Sequence, residues 1–190
     1  MKKKTVVISL LALSIVVSCN KIADLVKIRL DLPYSQSVSL PQALIYDTSV
    51  THYFPTSGVS YSSPNLPVST GQSNILSSHN SAANKISSFS LTQLVLVDSP
   101  STAHFDFLDT VRMYICKTAN DSTLIAYKYG VTTGLDSLVL DQVANSNLLP
   151  YFILDTFYFR FSGHFKSLPP NSLQKMTIHS IMHLEADPLN

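Results

Sequence analysis

Phe157, Phe159, Phe161 and Phe165, with Gly163 among them, occupy every second position of one short stretch, and Tyr158, Arg160, Ser162 and His164 fill the positions between. A period of two sends successive side chains to opposite faces of an extended chain. The stretch therefore predicts a strand with one aromatic face and one polar face. Each buried phenylalanine is worth about 1.5–3 kcal/mol, and the row gains it only if a second layer covers the rings. That requirement dictates a two-layer body. The same four residues could instead line a cavity for an apolar ligand, although close packing makes a filled core the commoner outcome.

The rest of the chain supplies partners for such a strand. Val26, Ile28, Leu30 and Leu32 alternate with Lys27, Arg29 and Asp31, and Pro33 is expected to end that strand. A second short strand fits 37–40, with 43–46 and 50–54 continuing the sheet. Residues 55–72 are rich in Ser, Pro, Gly and Thr and read as a long surface loop or an irregular edge. Across 73–88, Ile75, Leu76, His79, Ala82, Ala83 and Ile86 fall at spacings of three and four, which predicts one short, weakly coded covering helix. In 89–97 the expected face is Phe89, Leu91, Gln93, Val95 and Val97. Leu94 and Leu96 make the other face apolar too, as in a central strand. Residues 111–117 and 124–129 form a hairpin through Asn120-Asp121. Strands over 138–143, 155–165 and 175–186, and a helical turn within 147–152, complete the set. The pattern predicts an all-β fold, an antiparallel β-sandwich of immunoglobulin-like or jelly-roll-like type.

Ahead of this body stand Lys2, Lys3 and Lys4, an apolar run over 6–17, then Ser18 and Cys19. The run is too short for a spanning helix, which needs about 20 apolar residues. Val16-Val17-Ser18-Cys19 resembles the lipobox of a bacterial lipoprotein signal. The resemblance implies cleavage before Cys19 and acylation of that cysteine, hence a signal over 1–18, a lipidated tether over 19–25 and a single domain over 26–190. Several acyl chains hold a protein to a bilayer far more firmly than one, so the lipid bilayer is the first expected partner. Asn20 where inner-membrane lipoproteins often carry Asp favours the outer membrane. The lack of acidic residues before Asp24 favours its periplasmic face over the cell surface.

Loss of the three lysines turns the net charge from +1 to −2, which leaves no basic footprint for nucleic acid. Cys116 is then the single cysteine besides Cys19, so the sequence predicts a buried thiol and no intrachain disulfide.

Motifs for chemistry are sparse. His179 and His183 are four apart, which suits one metal on a helix, but on a strand this spacing is about 13 Å. Gly58-Val59-Ser60-Tyr61-Ser62 lacks the second glycine of a nucleophile elbow. Carboxylate pairs such as Asp106 with Asp109, or Asp121 with Asp136, are explained by turn chemistry. Asp109-Thr110-Val111, Asp121-Ser122-Thr123 and Asp136-Ser137-Leu138 resemble an O-glycosylation pattern of exported Bacteroidota proteins. Tyrosines including Tyr34, Tyr46, Tyr53, Tyr61 and Tyr151 are candidates for an amphipathic binding surface.

The block 90–140, with Phe105-Asp106-Phe107-Leu108-Asp109 and Val111-Arg112-Met113-Tyr114-Ile115, resembles exported β-rich domains of Bacteroidota lipoproteins. That resemblance implies no activity and no catalytic residue. The expected function is a membrane-anchored, non-catalytic binding or structural module without cofactor or metal. A carrier or sensor of an apolar ligand such as a lipid, lined by Phe157, Phe159, Phe161 and Phe165, is the alternative. An envelope hydrolase comes third.

Overall fold

The computed structural model describes residues 27–40, 54–78, 83–99, 104–118, 120–144, 146–169 and 175–187. The expected signal, Cys19, the tether 19–25, the expected strand at 43–46 and all of the expected strand at 50–54 except Phe54 lie outside the described residues.

In chain order the described strands are β1 (Ile28–Ser39), β2 (Val59–Ser62), β3 (Leu66–Ser69), β4 (Ile86–Ser99), β5 (Leu108–Thr118), β6 (Asp121–Tyr129), β7 (Ser137–Val139), β8 (Asp141–Gln142), β9 (Thr156–Phe165) and β10 (Lys175–Ala186). Two short helices, α1 (Gln72–Ser78) and α2 (Leu149–Phe152), lie between them. One sheet has the order β1-β10-β4-β7, and the other β2-β9-β5-β6-β8 with β3 also paired to β9. All pairings are antiparallel. The chain crosses from the first sheet to the second after β1, returns for β4, makes the β5–β6 hairpin in the second, then alternates again through β7, β8–β9 and β10. This connectivity is the double-sheet jelly roll, which decides between the two sandwich types the sequence allows.

β9 alternates without a break between buried and half-buried positions. Phe157, Phe159 and Phe161 are fully buried and Phe165 nearly so. Their rings meet Tyr34 of the facing sheet at 5.6 Å from Phe157, one another at 5.2 Å for Phe157 and Phe159, and Phe107 at 5.7 Å from Phe165. Gly163 keeps the row filled, because a Cβ there would lie 2.8 Å from the Phe161 ring and 3.2 Å from Leu108. The first sheet answers with Leu94, Leu96, Ile178, Met182 and Leu184, all within the same hydrophobic cluster.

Several boundaries differ from the sequence expectation. Pro33 does not end β1, which pairs continuously from Ile28↔Ala186 to Ser39↔Lys175. β1 is an edge strand, so one of its sides needs no ladder amide and proline is tolerated. Of the two readings of 55–72, the irregular edge holds: the stretch contains β2 and β3, which lie in tandem along the edge of β9 away from β5. Among the described residues the covering helix is α1, with Leu76 buried; His79 and Ala82 lie outside them, and Ile86 belongs to β4. Residues 138–143 do not form one strand: β7 joins the first sheet and β8 the second, closing one side of the sandwich.

The face assigned to β4 also changes partway. Ser88 faces Glu185 while Ile86 faces Ala186, and Gln93 faces Ile181 while Leu91 faces Met182. Ser87 and Thr92 are therefore extra residues, two β-bulges. After Thr92 the phase inverts, so Phe89 and Leu91 are buried, but so are Leu94 and Leu96 rather than Gln93, Val95 and Val97.

Candidate functional site

The polar face of β9 points away from the core, and register decides which side chains join it. His164 faces Thr110, Ser162 faces Arg112, Arg160 faces Tyr114 and Tyr158 faces Cys116 across β5. β6 places Tyr129 beside Thr110 and Tyr127 beside Arg112. On the other flank, β2 sets Ser60 against His164. At one end of this face is a cleft of about 360 Å³, lined by Ser60, Asp109, Thr110, Arg112, Ser162, Gly163 and His164. Its walls are hydroxyls, charges and backbone. That chemistry suits a polar ligand rather than an aliphatic one.

His164 is clamped on both ring nitrogens. Its Nε2 lies 3.1 Å from the Ser57 carbonyl, and Nδ1 lies 3.5 Å from Asp109 Oδ2. A carbonyl only accepts, so Nε2 carries the hydrogen. Gly58 makes the approach feasible: its φ is +74°, and a Cβ there would lie 2.5 Å from the imidazole. Asp and His thus meet, but a backbone carbonyl sits on the nitrogen that a nucleophilic serine would need.

Arg112 leans over the Tyr129 ring at 5.6 Å. Its proton is held more tightly than usual, first through the hydrogen bond to Tyr129 and then through the charge of that phenol. Arg160 stacks on Tyr114 at 5.2 Å and Lys117 on Tyr151 at 5.2 Å. Tyr127 and Tyr129 sit 5.0 Å apart, and Tyr129 is 54% exposed. Such cation–π contacts orient the guanidinium forks without neutralising them.

The structure distributes the sequence candidates widely. Phe157, Phe159, Phe161 and Phe165 are together in the core, on the side of the second sheet opposite the cleft. Cys116 is fully buried, as expected, but its cross-strand neighbour is Tyr158 and not one of the phenylalanines. Burial pushes its thiol up, with Arg160 acting in the opposite direction. His179 and His183 lie on strand β10, where His183 Nδ1 is 2.8 Å from Asp31 Oδ1. Glu185 holds Arg29 at 3.0 Å, and that hydrogen bond keeps its carboxyl below the usual range. Among the described residues no three His, Cys, Asp or Glu side chains form a metal-ligating group.

Of the tyrosines proposed for a surface, Tyr34 and Tyr61 pack against the core and Tyr151 is buried. Tyr46 and Tyr53 lie outside the described residues. The tyrosines that do form a face are Tyr114, Tyr127, Tyr129 and Tyr158. Their signal was phase: Arg112 and Tyr114 alternate with core residues on β5, and Tyr127 and Tyr129 occupy alternate positions of β6 on either side of Lys128.

No family model matches the chain, and no curated protein does. Among solved structures, it is similar to a chain of Desmodium yellow mottle tymovirus, with 11% identity and a TM-score of 0.28, over 86% of this chain and 90% of that one. The jelly-roll assignment rests on the strand order.

Proposed function

We propose that this protein is a non-catalytic binding module of a bacterial envelope, held by an acylated Cys19 in the outer membrane and facing the periplasm. It offers the outer face of the β9–β5–β6 sheet to its partner. The observation that carries this reading is the convergence of Arg112, Arg160, Tyr114, Tyr127 and Tyr129 with serine and threonine hydroxyls on one face. Tyrosine and arginine are enriched where proteins bind, and tyrosine, serine and arginine together combine rigid contact area with adaptable hydrogen bonding.

The test is a photo-crosslinking amino acid placed at Tyr129 in intact cells, with the same group at Ser35 on the exposed side of β1 as a control. A discrete adduct from position 129 alone is expected, and equal labelling from both positions, or none from 129, defeats the proposal. Cys19→Ala is expected to leave an unprocessed precursor and to move the protein out of the detergent phase. A lipid retained in a native mass spectrum would favour the carrier reading instead.

A further inference from the structure

The geometry points to the chemical class of the ligand: the cleft between β2, β9 and β5 takes a carboxylate-bearing sugar unit of a glycan, an assignment that rests on the binding-module reading above. Three observations support it. First, among the described residues no carboxylate lies within ion-pair distance of Arg112 or Arg160, whereas Arg29, Lys117 and Lys128 are each paired. Arg112 and Arg160 are diagonal neighbours on β5 and β9, about 7–8 Å apart at the backbone. Two like charges left uncompensated on one face favour an anion.

Second, Asp109, whose Oδ2 lies 3.5 Å from His164 Nδ1, keeps a negative charge on one wall of the cleft, so an anionic group is accepted only on the Arg112 side. The group that attracts an anion there is the single guanidinium of Arg112. A planar carboxylate matches its fork with two parallel hydrogen bonds, while a phosphate dianion would also meet Asp109 at close range. Third, Ser60, Thr110 and Ser162 surround this charge with hydroxyls, which can both donate and accept. A polyhydroxylated ring uses that lining, and an apolar side chain would not. The exposed Tyr129 beside Tyr127 offers an aromatic face for the C–H side of a sugar, and about 360 Å³ is near the lower end of the range for small-ligand sites.

Arg112 is the specificity-determining residue in this arrangement, and Ser162, directly opposite it in the ladder, holds a ring hydroxyl. The experiment is calorimetric titration of the full acylated chain in detergent with an oligogalacturonate, its methyl ester and inorganic phosphate. The free acid is expected to bind, and the ester about ten- to a hundred-fold more weakly, as loss of a charge-assisted bidentate pair implies. Arg112→Gln should weaken acid binding by a similar factor and leave the ester unchanged. Arg29→Gln on the other sheet should leave both unchanged. Phosphate should not displace the acid.

Equal affinity for acid and ester, an unaffected Arg112→Gln variant, or phosphate binding as tightly as the sugar overturns the assignment. If neither saccharide binds while position 129 still gives a discrete adduct in cells, the sugar assignment is lost and the binding module survives. If the adduct is also missing, both are lost.

Discussion

The Thr92 hydroxyl donates to the Ile181 carbonyl at 3.0 Å, at the point where β4 carries one residue more than the strand it pairs with. The same device recurs at the other bulge, where the Ser87 hydroxyl donates to the Glu185 carbonyl at 3.2 Å. A bulge interrupts the ladder locally, and a hydroxyl on the extra residue gives the partner strand's carbonyl a bond there. The consequence reaches the core. Because two bulges reset the phase, β4 buries Ile86, then Phe89 and Leu91, then Leu94 and Leu96 against the phenylalanine row.

Thr92→Val keeps the shape of the side chain and removes only the donor. Its stability should fall by about 1 kcal/mol, the net worth of one hydrogen bond. Ser87→Ala should cost a similar amount, and the double variant about the sum, because the two bulges share no partner. Urea titration followed by circular dichroism reads this from the midpoints. A Thr92→Val midpoint equal to that of the parent would show that the hydroxyl has no part in holding the bulge.

Gly163→Ala probes the aromatic row from within. The added methyl points at the Phe161 ring and Leu108, and overpacking of this kind costs about 1–3 kcal/mol. A shorter side chain at the neighbouring position should relieve it. Gly163→Ala combined with Phe161→Leu is therefore expected to lose less than the sum of the two single changes, as measured by thermal unfolding. Strict additivity would mean that Gly163 does not make room for the ring.

The parts of this molecule that were legible in its sequence are those where one strand obeys one rule. β9 and β10 alternate along their whole lengths, and the Asn120-Asp121 turn announces the β5–β6 hairpin. β4 departs from its sequence pattern because a bulge depends on the pairing partner, and nothing within 86–99 says where β10 will skip a residue. Pro33 sits inside β1 rather than at its end because edge position is also a property of the sheet. The cleft was invisible for a related reason. Ser60, Thr110, Arg112 and His164 belong to three strands and have no fixed spacing, so only the register brings them together.

Cys116 offers a check on burial that does not depend on the core row. Burial pushes its thiol up, so the reactive thiolate is scarce and shielded in the folded protein. In the Cys19→Ala chain at mildly alkaline pH, a thiol reagent such as DTNB should react slowly with the native protein and completely in denaturant. Rapid stoichiometric labelling of the native chain would contradict the placement of Cys116 beneath the Tyr158 and Arg160 side of the sheet.

Tyr34 gives a pH-dependent stability with a definite sign. Its hydroxyl donates to the Thr70 carbonyl at 3.1 Å, and burial pushes its pKa up to about 12 from the usual 10.0. The fold therefore holds the phenolic proton more tightly than the unfolded chain does. The resulting stabilisation is complete below pH 10 and is lost as the pH rises toward 12. Tyr34→Phe cannot ionise. At pH 8 the variant should be less stable by about 1 kcal/mol, for the lost hydrogen bond, and between pH 10 and 12 its stability should fall less steeply than that of the parent. The two curves of unfolding free energy against pH then converge in the alkaline range. Curves that stay parallel from pH 10 to 12 would mean that Tyr34 ionises alike in the folded and unfolded chains, and the packing of its ring against Phe157 would not be what shields it.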